Sequence, residues 1–217
     1  MRSAGRILAA LALLVATVPS AHAAAPGQLD FVLFRNGHPD GRHSVSVVQT
    51  AAGVDVRSHI VIRVALGPVP LYHYEQNCQE SWIGGALASL ECDTQKNGKR
   101  TGVSARKSGG AIAVRGAGTF PLSALPTSWW VRPPSSTSAM INTETGAPLR
   151  VRVERVGAEM RDVGGRSVAV DHIRVIGTMV VDLWYDQAGH WVGCAFNVSG
   201  QHFDYRLVSP LDGAPSP

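Results

Sequence analysis

Glu80 is the residue whose setting most suggests chemistry. If residues 71–81 form a strand, Tyr72, Tyr74, Cys78, Glu80 and Trp82 fall on one face, because side chains alternate along a strand. An acid among aromatics on an inward face must be paired or held neutral, since a lone buried carboxylate is costly. Two readings follow. In one, Glu80 pairs with an arginine or caps backbone donors inside the sheet. In the other it is a ligand-binding or acid–base group in a cleft.

Trp129 and Trp130 lie in a stretch dense in Gly, Pro and Ser, and Trp184 stands beside Tyr185 and Asp186 at the end of an alternating run. Aromatics at the mouth of a barrel can stack on sugars or grip acyl chains. The alternative is that they plug the ends of the barrel and bury apolar surface. His73 and His190 are expected on the surface. Asp171 and His172 alternate across a strand, so they cannot form a dyad through their side chains. The expected ligand-binding set is therefore Tyr72, Tyr74, Glu80, Trp82, Trp129, Trp130 and Trp184.

Catalytic signatures are missing. The chain has no G-x-S-x-G elbow, no phosphate-binding loop and no H-E-x-x-H, and Gly116 and Gly118 lack the third glycine of a dinucleotide motif. It has no C-x-x-C and no two histidines four apart, so no cofactor, metal ligand or catalytic residue is assigned. Asn197-Val198-Ser199 matches a glycosylation acceptor, but its place in a strand argues against that use. The 20 basic and 16 acidic residues give a formal charge of +4. A balance so close to neutral, with Arg150, Arg152 and Arg155 as the densest basic group, is no footprint for nucleic acid.

Residues 1–23 carry the pattern of a secretory signal peptide. Arg2 and Arg6 precede an apolar run over 7–18, and Ala21-His22-Ala23 forms a cleavage site before Ala24. No later run reaches the 18 or so apolar residues a spanning helix needs. The expected location is the periplasm or the exterior. An oxidising compartment permits a disulfide. If Gly84, Gly85 and Ala86 form a three-residue hairpin loop, Cys78 faces Cys92 at bridging distance. A two-residue loop would shift the register by one and spoil that pairing. Cys194 is expected as a small buried apolar residue.

The elements that must position these residues are strands. Period-two alternation dominates the chain. Leu29, Phe31 and Leu33 open it, followed by turn signals at Asn36-Gly37 and Asp40-Gly41, and then a strand over 44–50. Val54, Val56, Ser58, Ile60, Ile62, Val64 and Leu66 share the face of a long strand that is polar on its other side. Asn97-Gly98 is the strongest hairpin signal. Residues 116–148 break the pattern as a long aromatic loop, with one short helical turn at 138–143. Alternation returns over 149–156, 166–176, 178–185, 190–198 and 201–208. The chain is thus expected to be all-β. It should form a single strongly curved antiparallel sheet or (half-)barrel of about eleven strands over 24–208, with a flexible tail at 209–217.

Leu71-Tyr72-His73-Tyr74, Glu80-Ser81-Trp82 with Gly85 and Leu87, Thr94 through Asn97-Gly98, Ser128-Trp129-Trp130, and Leu183-Trp184-Tyr185-Asp186 with Gly189 form a set of short motifs. Together they resemble a family of exported bacterial proteins known only as a domain of unknown function. The likeness covers most of residues 29–207. The layout is similar to periplasmic half-barrels with a hydrophobic concave face, including lipoprotein-carrier-like folds. The resemblance implies an exported all-β domain and carries over no activity or catalytic residue, and Cys78 and Cys92 are not part of its pattern. The functional expectation is a non-catalytic domain binding a hydrophobic or amphipathic envelope component in its concave face. Its candidate partners are a lipid, a glycan or another envelope protein. The alternatives are a structural or interaction protein with a filled core, and an envelope hydrolase using Glu80.

Overall fold

The structure is a computed structural model that describes residues 27–208. The expected leader (1–23) and tail (209–217) lie outside the described residues. Among the described residues there are sixteen strands and no helix: β1 (Gly27–Arg35), β2 (His38–Gln49), β3 (Val54–Leu66), β4 (Val69–Ile83), β5 (Ala86–Lys96), β6 (Lys99–Ser108), β7 (Ala111–Val114), β8 (Gly118–Pro121), β9 (Leu125–Pro126), β10 (Ala139–Ile141), β11 (Pro148–Arg150), β12 (Arg152–Val163), β13 (Arg166–Ile176), β14 (Val180–Asp186), β15 (Trp191–Val198) and β16 (Gln201–Leu207).

Thirteen of these form one antiparallel sheet in the order β12-β13-β14-β15-β16-β1-β2-β3-β4-β5-β6-β7-β8. Each half is a meander of neighbouring hairpins, and the halves join where β1 pairs with β16, Phe31 opposite Leu207. The outer strands β8 and β12 do not pair, so the sheet curves without closing. β-branched and aromatic residues suit such a half-buried pleated surface. On the inner face Phe31, Val45, Val56, Leu90 and Leu183 are buried. Each such side chain contributes about 1.5–3 kcal/mol relative to exposure.

β3 and β13 have the bounds that alternation predicts. Asn97-Gly98 closes the β5–β6 hairpin with both residues at positive φ (47° and 84°), the backbone a tight primed turn demands. Asp40-Gly41 is not a turn. It lies inside β2, where the β1 partner changes from Gly41 to Pro39, so Asp40 is the bulged residue and Arg35 binds it at 2.6 Å.

The β4–β5 hairpin reaches the expected pairing by a different route. Ile83 faces Ala86 across a two-residue Gly84-Gly85 loop, which by itself sets Cys78 out of register. A bulge between Ser81 and Trp82 restores one residue, and Cys78 faces Cys92. The two are joined by a disulfide.

The stretch 116–148 is not a structureless loop, and 138–143 holds no helical turn. β8 completes the large sheet, and β9, β10 and β11 form a second one, with β10 antiparallel to β11 and parallel to β9. Strands of two or three residues are too short for a period-two pattern to show. The expected single strand over 149–156 also divides: Arg150 ends β11, Arg152 begins β12, and Val151 between them donates its N–H to the Ser138 carbonyl.

The Cys78–Cys92 bond closes a loop of sequence separation 14. Replacing both cysteines by serine is expected to lower the unfolding free energy by about 3 kcal/mol. Urea denaturation of the two proteins measures this, and coincident midpoints would contradict it.

Candidate functional site

Strand parity on β4 places Gln76, Cys78, Glu80 and Trp82 on the inner face, all buried, with Tyr72 and Tyr74 half-buried at its outer end. The Glu80 carboxylate takes neither of the expected kinds of partner. One oxygen, Oε2, accepts the indole N–H of Trp82 (2.8 Å) and that of Trp130 (2.9 Å). The Ser128 side chain adds a third hydrogen bond. The two indole rings meet edge to face at 5.4 Å. Burial pushes the Glu80 pKa above the ordinary carboxylate value, and the bonds from Trp130, Ser128 and Trp82 oppose that rise.

Glu80 thereby ties β4 to the segment 122–151, which connects the two outer strands and packs as a plug against the inner face of both halves. Gln76 donates to Thr94 Oγ1 (2.9 Å) and to the Thr143 carbonyl (3.1 Å). Thr101 donates to the Glu144 carbonyl, and Lys96 pairs with the Glu144 carboxylate. From the other half, the Tyr185 hydroxyl donates to the Trp129 carbonyl at 2.7 Å, and Arg132 binds Asp171 at 2.8 Å. The Arg132 guanidinium, with Arg155 behind it, holds the Asp171 carboxyl below its usual range. Trp129 has a left-handed backbone (φ 65°), a costly conformation for a bulky residue.

Between the plug and the sheet lies a cavity of about 230 Å³. This is smaller than the ~300 Å³ at the low end of drug-sized pockets. Ile60, Met140, Leu149, Val175, Val181 and Phe196 supply apolar wall, and Ser128, Tyr74, Tyr205 and Glu144 supply polar groups. Of the aromatic and acidic residues singled out from sequence, only Tyr74 and Trp129 line it. Trp82, Trp130 and Glu80 are occupied with one another. Trp184 sits elsewhere. It alternates with the inward Leu183 and Tyr185, donates to Glu159, lies 3.6 Å beneath the Arg161 guanidinium and stacks on His172.

Sequence reasoning missed His43. The expected second strand began at Ser44, six residues after the observed start and one residue past His43. β2 in fact starts at His38, and His43 continues the inward row of Val45 and Val47. Its ring is only 3% exposed, packs against Phe31, Trp191 and Tyr205 at 5.4–6.0 Å, and forms part of the cavity wall. Neither ring nitrogen has a hydrogen-bond partner. Burial first, and the charge of His59 second, lower its pKa to about 3.

His190 is not a surface residue. Its side chain is 11% exposed and binds Asp186 at 2.9 Å, bracing the turn before β15. Asp171 and His172 take separate partners, the latter Asp182 at 2.7 Å. Cys194 is buried, and burial pushes its thiol well above the ordinary value. Among the described residues no group of three His, Cys, Asp or Glu side chains could hold a metal ion.

An open antiparallel sheet curled around a plug, with a small cavity between the two, defines a β-barrel-like domain. The chain belongs to the family of the domain of unknown function DUF6134, which matches over residues 31–208. In fold it is similar to the crystal structure of a β-barrel-like protein of the domain of unknown function DUF1849 from Brucella abortus. The two share 11% identity at a TM-score of 0.58, over 86% of this chain and 97% of that one. No curated protein is detectably similar to the chain.

Glu80→Leu leaves two buried indole N–H groups unpaired and is expected to cost about 3 kcal/mol, whereas Glu80→Gln keeps an acceptor and the fold. Glu80 holds its proton to higher pH when folded than when unfolded. Its contribution is therefore fully present below the ordinary value of 4.5 and shrinks as pH rises through the folded value. Wild type should lose ground to Glu80→Gln over that rise, and urea midpoints from pH 4 to 8 would show it.

His43 has the opposite sign. Its contribution is present above 6.5 and is lost as pH falls toward 3, by about 1.4 kcal/mol per unit. A His43→Phe protein should lack that slope in acid denaturation. Parallel curves for variant and wild type would contradict the assignment.

Proposed function

We propose that this is an exported, non-catalytic binding domain that holds a small hydrophobic or amphipathic envelope component, such as a lipid or glycan fragment, in its concave face. The observation that carries the reading is the cavity of about 230 Å³ walled mainly by aliphatic and aromatic side chains. The leader pattern at 1–23 supports a periplasmic or secreted location. Among the described residues no helix is long and apolar enough to cross a membrane, a statement that leaves β-strand spans aside.

The hydrolase reading is the less favoured one. Glu80 is fully engaged by two indoles and Ser128, and it does not line the cavity. The carboxylate–imidazole pairs Asp182–His172, Asp186–His190 and Glu75–His59 also lie away from it. A second reading, a structural or interaction protein with a filled core, is favoured by the plug itself. Trp130, Met140 and Ile141 bury themselves where an empty half-barrel would be hollow.

Native mass spectrometry on protein purified from its own compartment tests both. The expected result is a chain beginning at Ala24 with a small-molecule adduct that solvent extraction removes. Added lipid or glycan should then shift Trp emission, and Trp129→Phe should diminish the shift. A bare chain whose emission ignores every added lipid and glycan would sink the binding reading and leave the filled-core one.

A further inference from the structure

We propose that the tip of the β3–β4 hairpin docks this domain onto the lipid surface of a membrane, with Val69 and Leu71 entering the boundary between head groups and acyl chains. The proposal does not depend on whether the cavity is occupied.

The hairpin outruns the sheet. β3 pairs with β2 only as far as Ile62, and β4 pairs with β5 only from Tyr74. Beyond them the two strands pair with each other alone, Arg63 opposite His73 and Val64 opposite Tyr72, up to the Gly67-Pro68 turn. Residues 64–72 hold no charged side chain. Val64 and Tyr72 pack back against the core, but Val69 and Leu71 are 55% and 59% exposed. A bare two-stranded ribbon is marginal in water, and large apolar side chains displayed together on one mark a surface meant to be covered.

The shape of the ribbon selects what covers it. At ~3.3 Å per residue and ~4.8 Å between strands, it is roughly 13 Å long and 10 Å wide. Each side is then about 130 Å², far below the ~800 Å² that a stable protein interface takes from each partner. A narrow apolar tip suits a bilayer, into whose interface amphipathic elements sink by ~5–10 Å. Pro68 and Pro70 bring no N–H that would have to give up water there. The charge around the base agrees. Glu75 offsets Arg63, Glu144 pairs with Lys96 and Asp93 with Arg100, whereas the exposed Lys99 makes no ion pair among the described residues. Lys99 follows the turn whose Asn97 N–H bonds the His73 carbonyl, so this spare cation stands level with the base of the ribbon, where head groups would lie.

Vesicle co-sedimentation of the whole protein tests this, with phosphatidylcholine alone and in equal mixture with phosphatidylglycerol. Both should bind, the mixture up to about fivefold more tightly because of Lys99, and Lys99→Gln should remove that difference. Val69→Ser combined with Leu71→Ser should weaken binding to both by roughly tenfold or more and leave the urea midpoint in place, since both positions are exposed. Vesicles with brominated acyl chains read depth: they should quench the emission of a Leu71→Trp protein more than that of wild type. The proposal is overturned if wild type binds neither vesicle, if the doubly substituted protein binds as wild type does, or if the Leu71→Trp protein shows no excess quenching. Sedimentation velocity supplies the other way to lose it. If wild type self-associates without lipid and the doubly substituted protein does not, the tip belongs to a second copy of this chain instead.

Discussion

A carboxylate removed from water has to be answered by donors, and in this domain the donors for Glu80 come from two places far apart in the chain. Trp82 sits two residues away on the same strand, and Trp130 and Ser128 arrive from the segment that links the outer strands. The shared oxygen fixes where that segment lies against β4. Once Trp130 is held there, the Trp129 carbonyl faces Tyr185 on the opposite half of the sheet, and the plug is fastened on both sides. The cavity is what remains between the fastened plug and the inner face.

The sheet tolerates an open seam because the connection between its outer strands does the covering. Polar bonds from Gln76, Thr101 and Asp171 meet backbone or charged groups of the plug, so the inner face carries polar side chains without leaving them unanswered. His43 is an exception to that rule on the inner face, since neither of its ring nitrogens has a hydrogen-bond partner.

Much of the architecture was legible because long alternating strands advertise themselves. β3 and β13 show their bounds in the spacing of valines and isoleucines, and the shared face of Cys78, Glu80 and Trp82 follows from parity alone. Short strands do not announce themselves, so β9, β10 and β11 hid among prolines and serines. Nothing local in the sequence ties Glu80 to Trp130, fifty positions later, because that partnership exists only after the plug has folded back. Trp184 misled for a related reason: adjacent aromatics in a strand face opposite ways, and its neighbour Tyr185 is the one that reaches the plug. His43 fell one position outside the expected strand, although the row it begins with Val45 and Val47 was available to extend.

The junction of β1 with β16 has a consequence for how the molecule assembles. Phe31 and Leu207 stand opposite one another at the middle of the large sheet, so the first strand made waits for the last. Until β16 is available, β1 presents a bare row of amide and carbonyl groups beside unburied Leu29, Phe31 and Leu33. Contacts so distant in sequence close slowly. A chain halted before its final strand would therefore offer an unpaired edge to any extended neighbour.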